Sequence, residues 1–121
     1  MADIVVTTPS FAAYQGIAVG ALTTSTPTPN STAIDAFEYN SDPHTTSSPL
    51  TIPANGIGIV CAYGSQYGTP VWNVGTQDYY TNDGASMGVL LGHISAAGSQ
   101  TPSISGYNGN GFGMVAASWG P

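Results

Sequence analysis

The chain contains no lysine and no arginine, so its formal charge of −6 comes from six carboxylates, Asp3, Asp35, Glu38, Asp42, Asp78 and Asp83, with only His44 and His93 as potential cations. Nucleic-acid binding requires cationic side chains that neutralise phosphates and release counterions, so DNA and RNA are not expected partners. Phosphate-handling enzymes, phosphopeptide readers and anionic membrane surfaces fall to the same shortage. Cysteine is scarce too. Cys61 is the only one, which rules out an internal disulfide, and its place in an apolar alternation reads as a buried, inert thiol. Charged residues make up 5% of the chain against roughly 25% in an ordinary globular domain. A neutral surface of this kind favours self-association, because burying it costs little charge desolvation.

Long apolar runs are absent as well. No stretch approaches the ~20 apolar residues of a membrane span, and Met1-Ala2-Asp3-Ile4-Val5-Val6 has no basic leader region, so a bacterial cytoplasm is the expected site of synthesis. Asn30-Ser31-Thr32 matches a glycosylation acceptor, but without an export signal it is read as coincidence. No period of 20–50 residues recurs, which argues against a solenoid or propeller.

What the chain does have is 41% apolar residues, 10% aromatics, 16 glycines and 9 prolines spread along its 121 positions. The apolar content is too high for disorder. The glycines and prolines leave no window for an uninterrupted amphipathic helix. The expected architecture is a single all-β domain over 1–121, an antiparallel, jelly-roll-like β-sandwich of eight to ten short strands. Candidate strands fall at 4–7, 16–22, 34–39, 50–52, 56–63, 71–74, 78–81, 87–95, 102–107 and 112–119. In Ile57-Gly58-Ile59-Val60-Cys61-Ala62-Tyr63 the odd positions form one face, while Gly58 and Ala62 flank Val60 on the other. This pattern suits a strand lying between a core and a close neighbour. The preceding Pro53-Ala54-Asn55-Gly56 is a turn signal, so 50–63 reads as a hairpin. Met114, Ala116 and Ser118 alternate with Val115, Ala117 and Trp119, as in a central strand buried on both sides. Trp119 is the expected core anchor, packed inside the sandwich or against a neighbouring subunit. The proline-rich polar stretches 23–30 and 40–49 read as long exposed loops.

Four constellations invite a chemical reading. Gly84-Ala85-Ser86-Met87-Gly88 fits the G-x-S-x-G elbow of serine hydrolases. That elbow, however, needs a strand-to-helix turn with an acid and then a histidine downstream, and every carboxylate here precedes Ser86. Asp78, Asn82 and Asp83 form a weak calcium candidate that does not keep EF-hand spacing; a solvated turn explains them as well. His44 and His93 have no second histidine or cysteine nearby in sequence and are assigned structural roles. Tyr63, Tyr67, Trp72, Tyr79 and Tyr80 gather within eighteen positions. They could stack on sugar rings as a carbohydrate-binding surface, or serve as core and interface aromatics. Tyr79 and Tyr80 are adjacent, so in a strand they must face opposite ways and one belongs to the core. No cofactor is expected.

At Ile52-Pro53-Ala54-Asn55-Gly56-Ile57-Gly58-Ile59, at Trp72-Asn73 with Thr76-Gln77-Asp78-Tyr79, and at Met114-Val115-Ala116-Ala117-Ser118-Trp119-Gly120-Pro121, the chain resembles small jelly-roll-like sandwich proteins of tailed bacteriophages. The resemblance covers about the last 70 residues and implies a non-enzymatic structural protein. It would be displayed in many copies on the virion surface as a capsid decoration or fibre-associated component. Its partners would be a larger capsid or tail protein and itself, a homo-oligomer with the trimer favoured. Residues 1–8, which the resemblance does not cover, are expected as a docking strand or arm on the strength of their strand-edge character. The resemblance implies no catalytic residue.

Overall fold

A computed structural model of the chain describes residues 28–34, 42–82, 87–107 and 113–121, with the side chains of 65–68, 87 and 107 left aside. Nine strands run through these residues: β1 Ser31–Ile34, β2 His44–Thr45, β3 Leu50–Ile52, β4 Ile57–Trp72, β5 Thr76–Asn82, β6 Met87–Ile94, β7 Gly98–Gln100, β8 Ser103–Tyr107 and β9 Gly113–Trp119. Every strand pairing is antiparallel, and no described residue is helical. The expectation of an all-β antiparallel sandwich holds. The expected strands at 4–7 and 16–22, the possible docking arm 1–8, and most of the loop 23–30 lie outside the described residues.

The main sheet runs in the order β1-β9-β4-β6-β5. β4 is its spine. Gly58–Ser65 ladder with β6 on one side and Ile57–Tyr63 with β9 on the other; from Gln66 onward, across a register shift between Gln66 and Val71, the strand pairs with β8, which in turn pairs with β2. A strand that bends through an irregularity and changes neighbours is the ordinary way to turn the corner of a sandwich. Where the sequence predicts separate strands at 56–63 and 71–74, one 16-residue strand runs from Ile57 to Trp72.

β3 does not pair with β4. Its partner is β7, in a separate two-stranded sheet, so the expected hairpin over 50–63 is corrected. The turn itself is real. Asn55 takes φ 59°, a conformation asparagine tolerates better than most residues, and the Gly56 amide donates to the Pro53 carbonyl at 2.9 Å. That turn carries the chain from one layer to the other instead of folding it back within one sheet. Leu50 and Ile52 then lie over Gly58: a Cβ on Gly58 would stand 2.8 Å from Leu50 Cδ2 and 3.0 Å from Ile52 Cδ1. Ser118 on β9 ties the layers polarly, donating from Oγ to the Thr51 carbonyl at 2.6 Å.

The core consists of Val60, Ala62, Leu90, Ile94, Met114, Ala116 and Ala33 from the main sheet, facing Leu50, Ile52, Ile104 and Trp72. It follows that the inner face of β4 is the Gly58, Val60, Ala62 face, and the bulkier odd-numbered side chains point the other way. The small inner residues leave room for the large ones opposite. The stretch 40–49, expected as an exposed loop, is exposed at 42–43 and 47–49 but is corrected at 44–46. Its residues 44–45 form β2, His44 is buried and Thr46 is buried, because backbone bonds fix them: the Thr46 amide donates to the Pro102 carbonyl at 3.1 Å and the Ser47 amide to the Ile34 carbonyl at 2.8 Å. Asp42 adds a carboxylate bond from the Gly106 amide at 3.2 Å.

Candidate functional site

The side of the main sheet turned away from the core is itself apolar. In antiparallel pairs, directly opposed residues share a face, so the register lays out rows of neighbours across the strands. One row runs Ile34, Val115, Cys61, Leu91, Tyr79 across β1, β9, β4, β6 and β5. The next runs Thr32, Ala117, Ile59, His93, Thr76, and beyond it Trp119 stands opposite Ile57. Ile34 is 62% exposed, Val115 57% and Tyr79 53%. A sheet solvated on one side normally alternates apolar-in with polar-out. Here the first row is apolar as well, and polar groups enter only in the second row, at Thr32, His93 and Thr76.

The face is also sculpted. Between the protruding Ile34, Val115 and Trp119 and the shorter Ala117 and Cys61 lies an open hollow of about 390 Å³. Among the described residues no carboxylate lines it. At the opposite edge, on β5 and β6, His93 Nδ1 lies 2.8 and 2.9 Å from the two carboxylate oxygens of Asp78. A protonated Nδ1 donates to both, forming a half-exposed pair at the rim of the apolar row.

The candidate site residues are thereby sorted. Trp72 is buried in the core and cannot stack on a sugar, which corrects its place among the possible glycan aromatics. A Cβ on Gly92 would come within 2.5 Å of its Nε1, so the absence of a side chain at Gly92 is what admits the indole. That Nε1 is buried without a hydrogen-bond partner. Tyr79 and Tyr80 do face opposite ways: Tyr79 is exposed and Tyr80 packs partly against the core, its hydroxyl accepting from Asn82 Nδ2 at 3.0 Å. Tyr63 is half-buried on the outer face, and the ring of Tyr67 lies outside the described residues. The five aromatics therefore do not form one platform.

Trp119 is not packed inside the sandwich. It is half-buried on the outer face, because strand alternation puts Met114, Ala116 and Ser118 inside and leaves the odd positions out, which leaves a neighbouring subunit as the expected partner of its ring. Cys61 follows the same parity and is partly exposed, correcting its reading as a buried thiol. Asp83 and Ser86 lie outside the described residues. The described residues that follow Ser86 form the strand β6, where the elbow requires a helix. Asp78 is engaged with His93 and Asn82 with Tyr80, and no group of three or more metal-binding side chains occurs among the described residues. Sequence reasoning missed the outer face as a unit. Its signal was the odd-numbered run Ile57, Ile59, Cys61, Tyr63 beside the equally apolar even positions.

Compared with known protein families, with curated proteins and with solved structures, the chain matches none.

Proposed function

We propose that the protein is a non-enzymatic structural component, displayed in many copies on the surface of a phage particle as a capsid decoration or fibre-associated protein, and that its working part is a contact surface. The observation that supports this reading is the five-residue apolar row Ile34, Val115, Cys61, Leu91, Tyr79, which crosses the whole main sheet on the side away from the core. Contiguous apolar area of this extent is uncommon on soluble monomers and marks interaction sites. The absence of lysine and arginine fits the same role, since the chain offers trypsin no cleavage site. The phage setting itself rests on the motifs quoted from the sequence.

The test is co-purification. Particles released from cells carrying the gene are banded by density, and the amount of this chain per particle is measured by quantitative mass spectrometry. A fixed, high copy number is the expected result. A chain that stays in the soluble fraction at every stage overturns the proposal.

A further inference from the structure

We infer that the outer face of the main sheet is the seat of a second copy of this chain, the two packing face to face about a two-fold axis. The inference rests on the reading of that face as a contact surface and names what meets it. Three observations select a second copy. The first is charge. A chain of −6 with no lysine or arginine repels its own kind wherever carboxylates oppose one another, yet no described carboxylate lines the hollow, and Asp78, at the far edge of the same face, is paired with His93. Two copies can therefore meet there without opposed charges.

The second observation is shape. An isologous contact uses one patch twice, so the patch must complement itself. Here Ile34 and Val115 stand out as knobs, at 62% and 57% exposure, directly beside a hollow of about 390 Å³ floored by smaller side chains such as Cys61 and Ala117. A two-fold turn sets the knobs of one copy over the hollow of the other. The third is size. Five strands spaced about 4.8 Å apart, averaging roughly 23 Å of length with β1 the shortest, span about 550 Å² in projection. Side-chain relief brings this to the order of the ~800 Å² per partner that a stable dimer buries. A sheet face buried this way closes at two copies. A ring of three would need two different patches, and the apolar row supplies one.

The experiment is sedimentation equilibrium of the full chain across a dilution series, together with the rate at which Cys61 reacts with a thiol reagent. The expected mass is twice the 12.2 kDa of the chain, with Cys61 labelling slow at high concentration and faster on dilution. Val115→Lys should weaken association by about a hundredfold, since each pair then buries two ammonium groups. Ser99→Lys, on the exposed β7 of the other layer, should leave it unchanged. Should Val115→Lys fail to fold, Ile34→Thr on the edge strand serves instead, with circular dichroism confirming the fold and weaker association expected. A wild-type mass of 12.2 kDa at all concentrations, a trimeric mass, or association that survives the outer-face variants overturns the inference. So does slow Cys61 labelling that ignores dilution, which would mean that the chain's own residues cover the face. A pair that forms in solution but never travels with particles leaves the inference standing and overturns the proposed function; particles decorated by single chains do the reverse.

Discussion

The indole of Trp72 occupies the space that a side chain at Gly92 would need, so that a Cβ there would sit 2.5 Å from Nε1 and 2.6 Å from the Thr76 carbonyl oxygen. One obstacle is a packed ring and the other is backbone. Gly92→Ala is therefore expected to destabilise the protein by about 2 to 3 kcal/mol, at the upper end for overpacking. Gly58→Ala meets only the ends of Leu50 and Ile52, which can swing aside, and should cost about 1 kcal/mol. Urea denaturation of the two variants checks the order; equal losses would contradict the packing described.

Trp119→Ala should give a folded protein. Because the ring lies half-buried on the outer face, its loss should cost about 1 to 2 kcal/mol, less than the ~3 to 5 kcal/mol of deleting a core tryptophan. Trp72→Ala is the matching core deletion and should show the full loss. Thermal melts of both variants separate the two environments.

Asp78→Asn removes the carboxylate from a pair in which the His93 and Asp78 side chains are 31% and 40% exposed. Exposed pairs of this kind contribute at most about 1 kcal/mol, and the expected loss is below that. Calcium titration of the wild type by calorimetry should give no saturable heat dependent on Asp78. A calcium-dependent rise in melting temperature that Asp78→Asn abolishes would restore the metal site.

Much of the strand pattern was legible because short period-two runs between turns carry their own signal. β3, β6, β8 and β9 appear within a residue or so of where alternation put them. Which side of a strand faces the core was not legible in β4, since alternation names the inner face only when the other face is polar, and here Ile59 and Val60 are both apolar. Partner choice is likewise non-local. Asn55 and Gly56 announce a turn, but nothing within 50–63 says that β3 will meet β7. His44 reads as a loop residue because prolines and serines surround it, whereas its burial depends on β8, some sixty residues further on. The glycan platform failed for a related reason: Trp72 is drawn inward by the vacancy at Gly92, a residue twenty positions away.

Lowering the pH toward the sequence pI of about 4.1 should increase association and lower solubility, because protonating the carboxylates removes the only net repulsion the chain possesses. Turbidity and sedimentation between neutral and acid pH measure this. Raising sodium chloride at neutral pH should promote association for the same reason, through screening, and a salt-induced dissociation would contradict it.

β4 joins both parts of the large sheet, laddered to β6 and β9 at its start and to β8 at its end. Neither part can open without tearing hydrogen bonds from this one strand. Amide exchange along 57–63 should then proceed only through global unfolding, and the two parts of that sheet should lose their protection together as one cooperative unit. The same arrangement governs the route to the native state. β4 is complete only once β9, about fifty residues downstream, has found its place, so ordering is dominated by distant closures and refolding belongs in the slow, millisecond-to-second range of non-local β proteins.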